Sequence, residues 1–401
     1  MKRSVIVGAV CAVGLLVGVG VWAWKSSANT VKTEFTQADF LEDYQQLWAD
    51  LQENYPFLPV LEELGVDVEG IRKSGEDTLK QREITLDGFV WLLKQQFGQM
   101  RGLAHLGVVD ADTLNVYAQA AETGELTDGW YDITHNPQTV ATYERLQQTA
   151  DGQSTDTEGE SQELPQVETQ YYPEEKAVYF HFPTFYISTV ERDAHVVEDY
   201  LDTLGDVDIQ HVILDITGNT GGSTDYWKNN IAKPLGGAWE WSQTVYLGDT
   251  PVNRQFVFSK VHPIPISELE QKELPGFVST LDMTYGFTFT MQSDAPERLE
   301  GAQRWLLTDG QVFSASDNFA AFCQDTGWAT LVGTTTRGDG GSGQNPVMIS
   351  LPNTGLLVRF SSTATANAQG QLNVAYGTNP DVTSSQKESP LDTVLEQIRN
   401  S

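Results

Sequence analysis

The stretch RWLLTDGQVFSASDNFAAFC, residues 304–323, passes from one structural period to another. Trp305, Leu306 and Leu307 make a short apolar run of strand length, closed by the turn residues Asp309 and Gly310. Phe319, Ala320, Phe322 and Cys323 then recur at helical spacing. Ser314 therefore sits where a strand becomes a helix. A serine there has two uses. It can cap the free N–H groups of the helix, or its hydroxyl can act as a nucleophile, with the neighbouring backbone N–H and the helix N-terminus stabilising the negative charge that develops.

Upstream, HVILDITGNTGG (211–222) is a continuous apolar run ending in glycines, with a helical segment after it. Gly218, Gly221 and Gly222 allow backbone N–H groups to approach a ligand. The loop fits neither the dinucleotide fingerprint nor the P-loop, because the G-x-G-x-x-G spacing and the following Lys-Ser/Thr are both missing. TQYYPEEKAVYFHF (169–182) reads as two strands about a turn at Pro173 to Glu175, and TVERDAHVVEDYLDTLGD (189–206) as a helix. Strands alternating with helices predict an α/β body with a mixed, partly parallel sheet and flanking helices.

The first half of the chain has a different character. FTQADFLEDYQQLWADLQENYPFL (35–58) opens with Thr36 and Asp39 in capping-box spacing and carries Phe40, Tyr44, Leu47, Trp48 and Leu51 on one stripe. TLDGFVWLLKQQFGQM (85–100) predicts a second amphipathic helix, and more helix and loop follow from Asp110 to Tyr143. Residues 147–166 are polar, acidic and aperiodic, as expected of a flexible connection. Before all of this, Lys2 and Arg3 precede an apolar stretch long enough to span a bilayer. Residues 1–28 are thus expected to be one transmembrane helix acting as a signal anchor, or a signal peptide. The basic flank leaves the N-terminus in the cytoplasm, so the body lies outside the cell membrane, or is secreted if the segment is cleaved.

The formal net charge of the 401-residue chain is −31. Lys2, Arg3 and Lys25 contribute +3 of it, so the exported body carries −34. Such a body repels nucleic acid and anionic lipid, and its acidity suits solubility outside the cell. Cys11 lies in the apolar segment and leaves Cys323 alone, so no disulfide framework exists within one chain. His135, His181, His195, His211 and His262 show no metal-ligand spacing, and neither H-E-x-x-H nor C-x-x-C occurs. No metal and no cofactor are expected.

VYFHFPTF (178–185), HVILDITGNTGG, the block running from the apolar strand before Ser314 to RGDGG (337–341), and YGTNPDV (376–382) resemble the blocks of the tail-specific, or C-terminal processing, serine peptidases. The resemblance covers roughly Tyr171 to the C-terminus. YPFL (55–58) and GLAHLG (102–107) are similar to the N-terminal part of the branch that includes the tricorn protease core. It implies a catalytic domain over 166–401, preceded by a helical subdomain and acidic linker over 29–165. It also implies Ser314 as nucleophile and an oxyanion hole from Ala315 with Gly221 and Gly222, leaving Ser316 a capping or packing role. The substrate would be a peptide or an unfolded protein.

A serine hydroxyl needs a base. Where the lysine-dependent branch places its lysine, this chain has Asp339, so the implied base is the histidine of the tricorn-like branch, His105. By itself a histidine flanked by apolar residues is more often a packed core residue. Two further departures bear on the relay. Ala104 replaces the serine before the histidine, and the glutamate expected before GTNPD falls near Asn373 and Val374. Asp339 or Asp381 is left as the substitute orienting carboxylate. No PDZ module fits between His105 and the β-rich body. The Arg-Gly-Asp triplet at Arg337, which could suggest adhesion, lies inside a family block. The alternative function is a catalytically inactive relative that binds extended peptides at the cell surface.

Overall fold

The computed structural model of the chain describes residues 31–124, 126, 128–153, 164–271, 273–340, 345–385 and 387–401. The segment 1–28, expected as a membrane anchor or signal peptide, lies outside them. Among the described residues no helix is long and apolar enough to cross a membrane.

The N-terminal helices are α1 (Gln37–Asn54), α2 (Leu58–Glu63), α3 (Val68–Gln81) and α4 (Leu86–Gln99). Thr36 and Asp39 form the capping box of α1 reciprocally, and Thr85 caps α4 through the Gly88 N–H. The strands follow as β1 (Gly107–Val108), β2 (Glu168–Tyr172), β3 (Ala177–His181), β4 (His211–Asp215), β5 (Trp239–Leu247), β6 (Ile264–Pro265) and β7 (Tyr285–Ser293). The remainder are β8 (Gln303–Thr308), β9 (Thr330–Gly333), β10 (Val347–Ser350), β11 (Leu357–Phe360), β12 (Thr363–Ala364) and β13 (Val382–Thr383).

The central six-stranded sheet has the order β13-β9-β8-β4-β3-β2. Only β2 runs antiparallel, as the hairpin partner of β3. The sheet is mixed and mostly parallel because helices cross over both faces. On one face Val178, Phe180, Val212, Leu214 and Leu306 pack on the helices Val196–Leu204 and Ala315–Thr326. On the other, Ile213, Trp305, Leu307 and Val332 meet Val394, Leu395 and Ile398 of the C-terminal helix Pro390–Asn400. The alternation along β4 and β8 is the period-two signature of strands buried on both sides. The helix expected from Thr189 begins only at Val196. Before it, Asp193 turns inward to accept from the Tyr226 hydroxyl at 2.6 Å and to pair with Arg192, and this stretch is spent in turns.

Two smaller sheets were not foreseen. One has the order β1-β11-β10 and the other β12-β5-β7-β6. Their apolar faces and the stripe of α1 and α4 share one core, with Phe40, Leu47, Phe89 and Leu93 packed in the same cluster as Tyr246, Val358 and Phe360. Lys32–Ser401 is accordingly one compact unit. The expected segments 29–165 and 166–401 meet through this common core, because the N-terminal stripe finds its apolar partner in strands from β5 onward.

Candidate active site

β8 ends at Thr308, and a turn carries the chain to Ser314, the residue before helix Ala315–Thr326. Ser314 has φ 58 and ψ −124, a conformation that a side-chain-bearing residue holds only at a cost of about 1–3 kcal/mol. Its surroundings fix it. The Ser314 N–H donates to the Gly338 carbonyl at 3.0 Å, and its carbonyl accepts from the Asn318 N–H at 2.8 Å. The Ser314 side chain makes no cap bond to its own helix. Capping geometry is absent, and the hydroxyl is free to point elsewhere.

It points to His105. The Ser314 Oγ and the His105 Nε2 are 2.9 Å apart. On the other side of the ring, Nδ1 meets the Asp339 Oδ2 in a short contact and lies 3.2 Å from the Ser361 Oγ. The Ser361 hydroxyl also donates to the Asp339 Oδ2 at 3.3 Å. With Nδ1 carrying its proton toward Asp339, Nε2 is the acceptor for the serine proton. The side chains of His105 and Asp339 are 13 % and 3 % exposed, so this line of groups is largely withdrawn from water.

His105 is held by elements far away in sequence. It ends a short 3-10 turn at Leu103–His105, after which β1 pairs antiparallel with β11 and ties the turn to the three-stranded sheet. The Ser361 N–H donates to the Ala104 carbonyl at 2.6 Å. The buried Tyr55 hydroxyl donates to the Leu103 carbonyl at 2.8 Å. Burial pushes the Tyr55 pKa well up, with the nearby Asp339 charge adding to it, so the phenol keeps the proton it donates. Below the ring, Phe313 lies 4.7 Å from His105 between centroids. His105 is thus a partly buried histidine with both nitrogens engaged by the site.

The glycine loop reaches the same point. A Cβ on Gly221 would stand 2.5 Å from the Phe313 carbonyl oxygen and 2.9 Å from both the Ala315 nitrogen and the Ser314 Cβ. Only glycine lets the backbone come this close. The Gly221 N–H is occupied, donating to the Asn219 Oδ1 at 2.8 Å. Gly222 forms a parallel bridge with Phe185, and neither its N–H nor that of Ala315 has a hydrogen-bond partner among the described residues. Of the three residues expected to form the oxyanion hole, Gly222 and Ala315 have N–H groups without a partner among the described residues, while the N–H of Gly221 is taken and its backbone packs against Ser314. The buried Ser316 locks loop and helix together, its hydroxyl bonded to the Asn219 carbonyl at 2.6 Å and the Phe313 carbonyl at 2.8 Å.

The loop that carries Asp339 is anchored by the next residue of the same helix. Asp317 is wholly buried and accepts from the Thr336 hydroxyl, from the Gly340 N–H at 3.0 Å and from the Asn373 amide at 3.0 Å. Burial pushes its pKa up, and these donors pull it back. The Asn318 amide adds a bond to the Gly340 carbonyl at 2.5 Å. Asn373, where the resemblance leads one to expect a carboxylate, therefore serves Asp317. The other candidate, Asp381, is bound to the Leu331 N–H at 2.8 Å beside the central sheet. Asp339 is the carboxylate brought to His105.

Sequence reasoning missed Ser361, Tyr55 and Asp317. Asp317 carried no distinctive signal, since between Ser316 and Asn318 in the first turn of a helix an acidic residue reads as ordinary dipole compensation. Ser361 and Tyr55 had none, since their contacts to the histidine segment span 256 and 48 residues. Among the described residues no group of three or more His, Cys, Asp or Glu side chains is arranged to hold a metal ion.

Residues 176–384, just over half of the chain, match peptidase family S41. No curated protein matches the chain. Among solved structures, a putative peptidase from Parabacteroides merdae is 16 % identical with a TM-score of 0.53, the match covering 91 % of this chain and 97 % of that one. Mature CPAF is 14 % identical with a TM-score of 0.51, over 90 % and 96 % of the two chains. At these identities the likeness is one of fold, shared over nearly the whole length. The family match and the fold together place the chain among the tail-specific proteases: it belongs to peptidase family S41.

Proposed function

We propose that the chain is an exported serine-type endopeptidase that cleaves peptide or unfolded-protein substrates through an acyl-enzyme on Ser314. The observation that carries this reading is the continuous line from the Ser314 Oγ through His105 to Asp339, together with two N–H groups that have no partner among the described residues. The Ser314 Oγ attacks the scissile carbonyl carbon as His105 Nε2 takes its proton. The carbonyl oxygen becomes an oxyanion facing the N–H groups of Gly222 and Ala315. Collapse breaks the C–N bond, and the proton on Nε2 passes to the leaving amine. Water then gives its proton to Nε2 and attacks the ester, and the serine recovers its hydroxyl proton. Asp339 holds the ring in the tautomer these steps need, and its charge stabilises the imidazolium between them.

Tethering to the cell membrane through residues 1–28, or secretion after their removal, is part of the same proposal and rests on the apolar N-terminal segment. The competing reading, a silent relative that binds peptides, rests on Ala104 and on the missing carboxylate at Asn373 and Val374. Fluorophosphonate treatment of the full chain, followed by intact mass, separates the two without knowledge of the substrate. A single adduct on the wild type, absent from Ser314→Ala and His105→Ala, is the expected result. A wild type that stays unlabelled from neutral to mildly alkaline pH rules out the enzyme.

A further inference from the structure

The Arg337-Gly338-Asp339 triplet is divided between two surfaces. Asp339 is buried against His105, whereas Arg337 is exposed. Gly338 makes the division possible: its φ is 89, and a Cβ there would lie 2.3 Å from the Asn373 carbonyl oxygen. An adhesion motif presents both charged side chains outward, and the burial of Asp339 excludes that use.

Arg337 is nevertheless fixed in place. Its guanidinium carbon lies 4.7 Å from the centre of the Phe313 ring, the ring that also packs beneath His105, and its NH2 group donates to the Arg101 carbonyl at 3.1 Å. The residue is thus held by a carbonyl and by the π face of Phe313, the residue before Ser314 and the ring it shares with His105. Arg72, Arg192, Arg254, Arg298, Arg304 and Arg399 each meet a carboxylate, as expected in a chain of net charge −31. Arg337 meets none among the described residues, nor do Arg82, Arg101, Arg145 and Arg359, but of these five only Arg337 lies over the ring that packs against His105. An exposed guanidinium ordered without an anion keeps outward N–H donors in a fixed fork that suits a carboxylate.

We infer that Arg337 is a specificity residue that takes a carboxylate of the peptide substrate next to the scissile bond. This rests on the serine-peptidase reading above. The carboxylate belongs to an Asp or Glu side chain at a fixed position from the cut, or to the chain end of a substrate cleaved near its C-terminus. A rigid guanidinium hydrogen-bonded to a carboxylate raises kcat/KM by about tenfold over the neutral amide, mainly through KM.

The test uses the full chain and two pools of the same peptide mixture, one with amidated and one with free C-termini, with cleavage sites read by mass spectrometry. The wild type is expected to favour Asp and Glu over Asn and Gln at one position in the amidated pool. Arg337→Gln should lose that preference, Arg337→Lys should keep a weaker one, and Arg337→Glu should turn it toward Lys and Arg. A preference confined to the free pool assigns the carboxylate to the chain end. Identical cleavage sites in wild type and Arg337→Gln overturn the inference and leave the peptidase standing. If the wild type is labelled by fluorophosphonate yet cuts neither pool, protection from labelling by acidic against amide peptides is the readout, and equal protection overturns it. A wild type that neither labels nor cuts removes the peptidase reading and this inference with it.

Discussion

The two halves of the site are built in opposite ways. The Ser314 half comes from one continuous block at the end of a parallel strand, in which Ser314, Ala315, Ser316, Asp317 and Asn318 each have a separate task within five consecutive residues. The His105 half is assembled from Tyr55, the turn at Leu103–His105, Asp339 and Ser361, which are far apart in the chain and meet only in the folded molecule. Backbone strain follows the seam. Among the described residues seven non-glycine residues have positive φ, and Arg101, Ala104, His105, Ser314 and Asp339 are five of them. Strain kept at a junction needs the surrounding fold to over-determine it, so the His105 half depends on tertiary closure, whereas the Ser314 half is set largely within its own block.

The largest expected effect is on the Ser314 half. Ser314→Ala should abolish fluorophosphonate labelling and lower kcat/KM by about a millionfold, with thermal unfolding unchanged. Gly222→Ala damages the same half, because its Cβ would stand 2.1 Å from the Phe185 carbonyl oxygen and force the donor loop away. Loss of one oxyanion donor costs roughly a hundred- to a thousandfold in kcat. Full activity in Gly222→Ala would show that the loop plays no part in the chemistry and would undo the comparison.

On the His105 half, Asp339→Asn should lower kcat by about a hundred- to ten-thousandfold with little change in KM, since the amide favours the wrong tautomer. Ser361→Ala should cost far less, because Asp339 still receives the Nδ1 proton. If the two variants were equally damaged, Ser361 would have to be counted an equal partner of Asp339. Tyr55→Phe leaves the Leu103 carbonyl without its donor, and should lower unfolding stability by about 1–3 kcal/mol while lengthening the labelling time.

This asymmetry also explains what could be read from the sequence. Ser314 and the Gly221-Gly222 pair stand out locally, as turn residues between an apolar strand and a helical period. That local reading left Ser314 open between cap and nucleophile, and the resemblance supplied the oxyanion role of Ala315 and the glycines. His105 and Asp339 emerged only through the resemblance, because neither a histidine among apolar residues nor an aspartate between glycines signals its partner. Ser361 was silent, lying after β11 in what reads as an ordinary polar turn. The sheet that fixes the histidine turn was silent too, since β1 is two residues long and carries no periodicity. Asp381 and Asp339 looked alike as substitutes because choosing between them requires tertiary contact.

The smallest effect tests the hinge between the halves. Asp317 belongs to the serine block but holds the loop of Asp339, so it couples them. Burial raises its folded pKa above that of the unfolded chain. The folded state therefore binds the Asp317 proton more tightly. The stability linked to that proton is present below the unfolded pKa and is lost as pH rises through the folded one. Asp317→Asn cannot titrate and lacks this dependence. The stability of wild type relative to the variant should thus fall as pH rises through and above the ordinary carboxylate range, as followed by denaturant unfolding. A difference that grows with pH would mean that the donors from Thr336, Gly340 and Asn373 outweigh burial and hold a carboxylate of lowered pKa. Asp317 would then be a fixed negative charge behind Asp339, and kcat in Asp317→Asn should fall along with the stability.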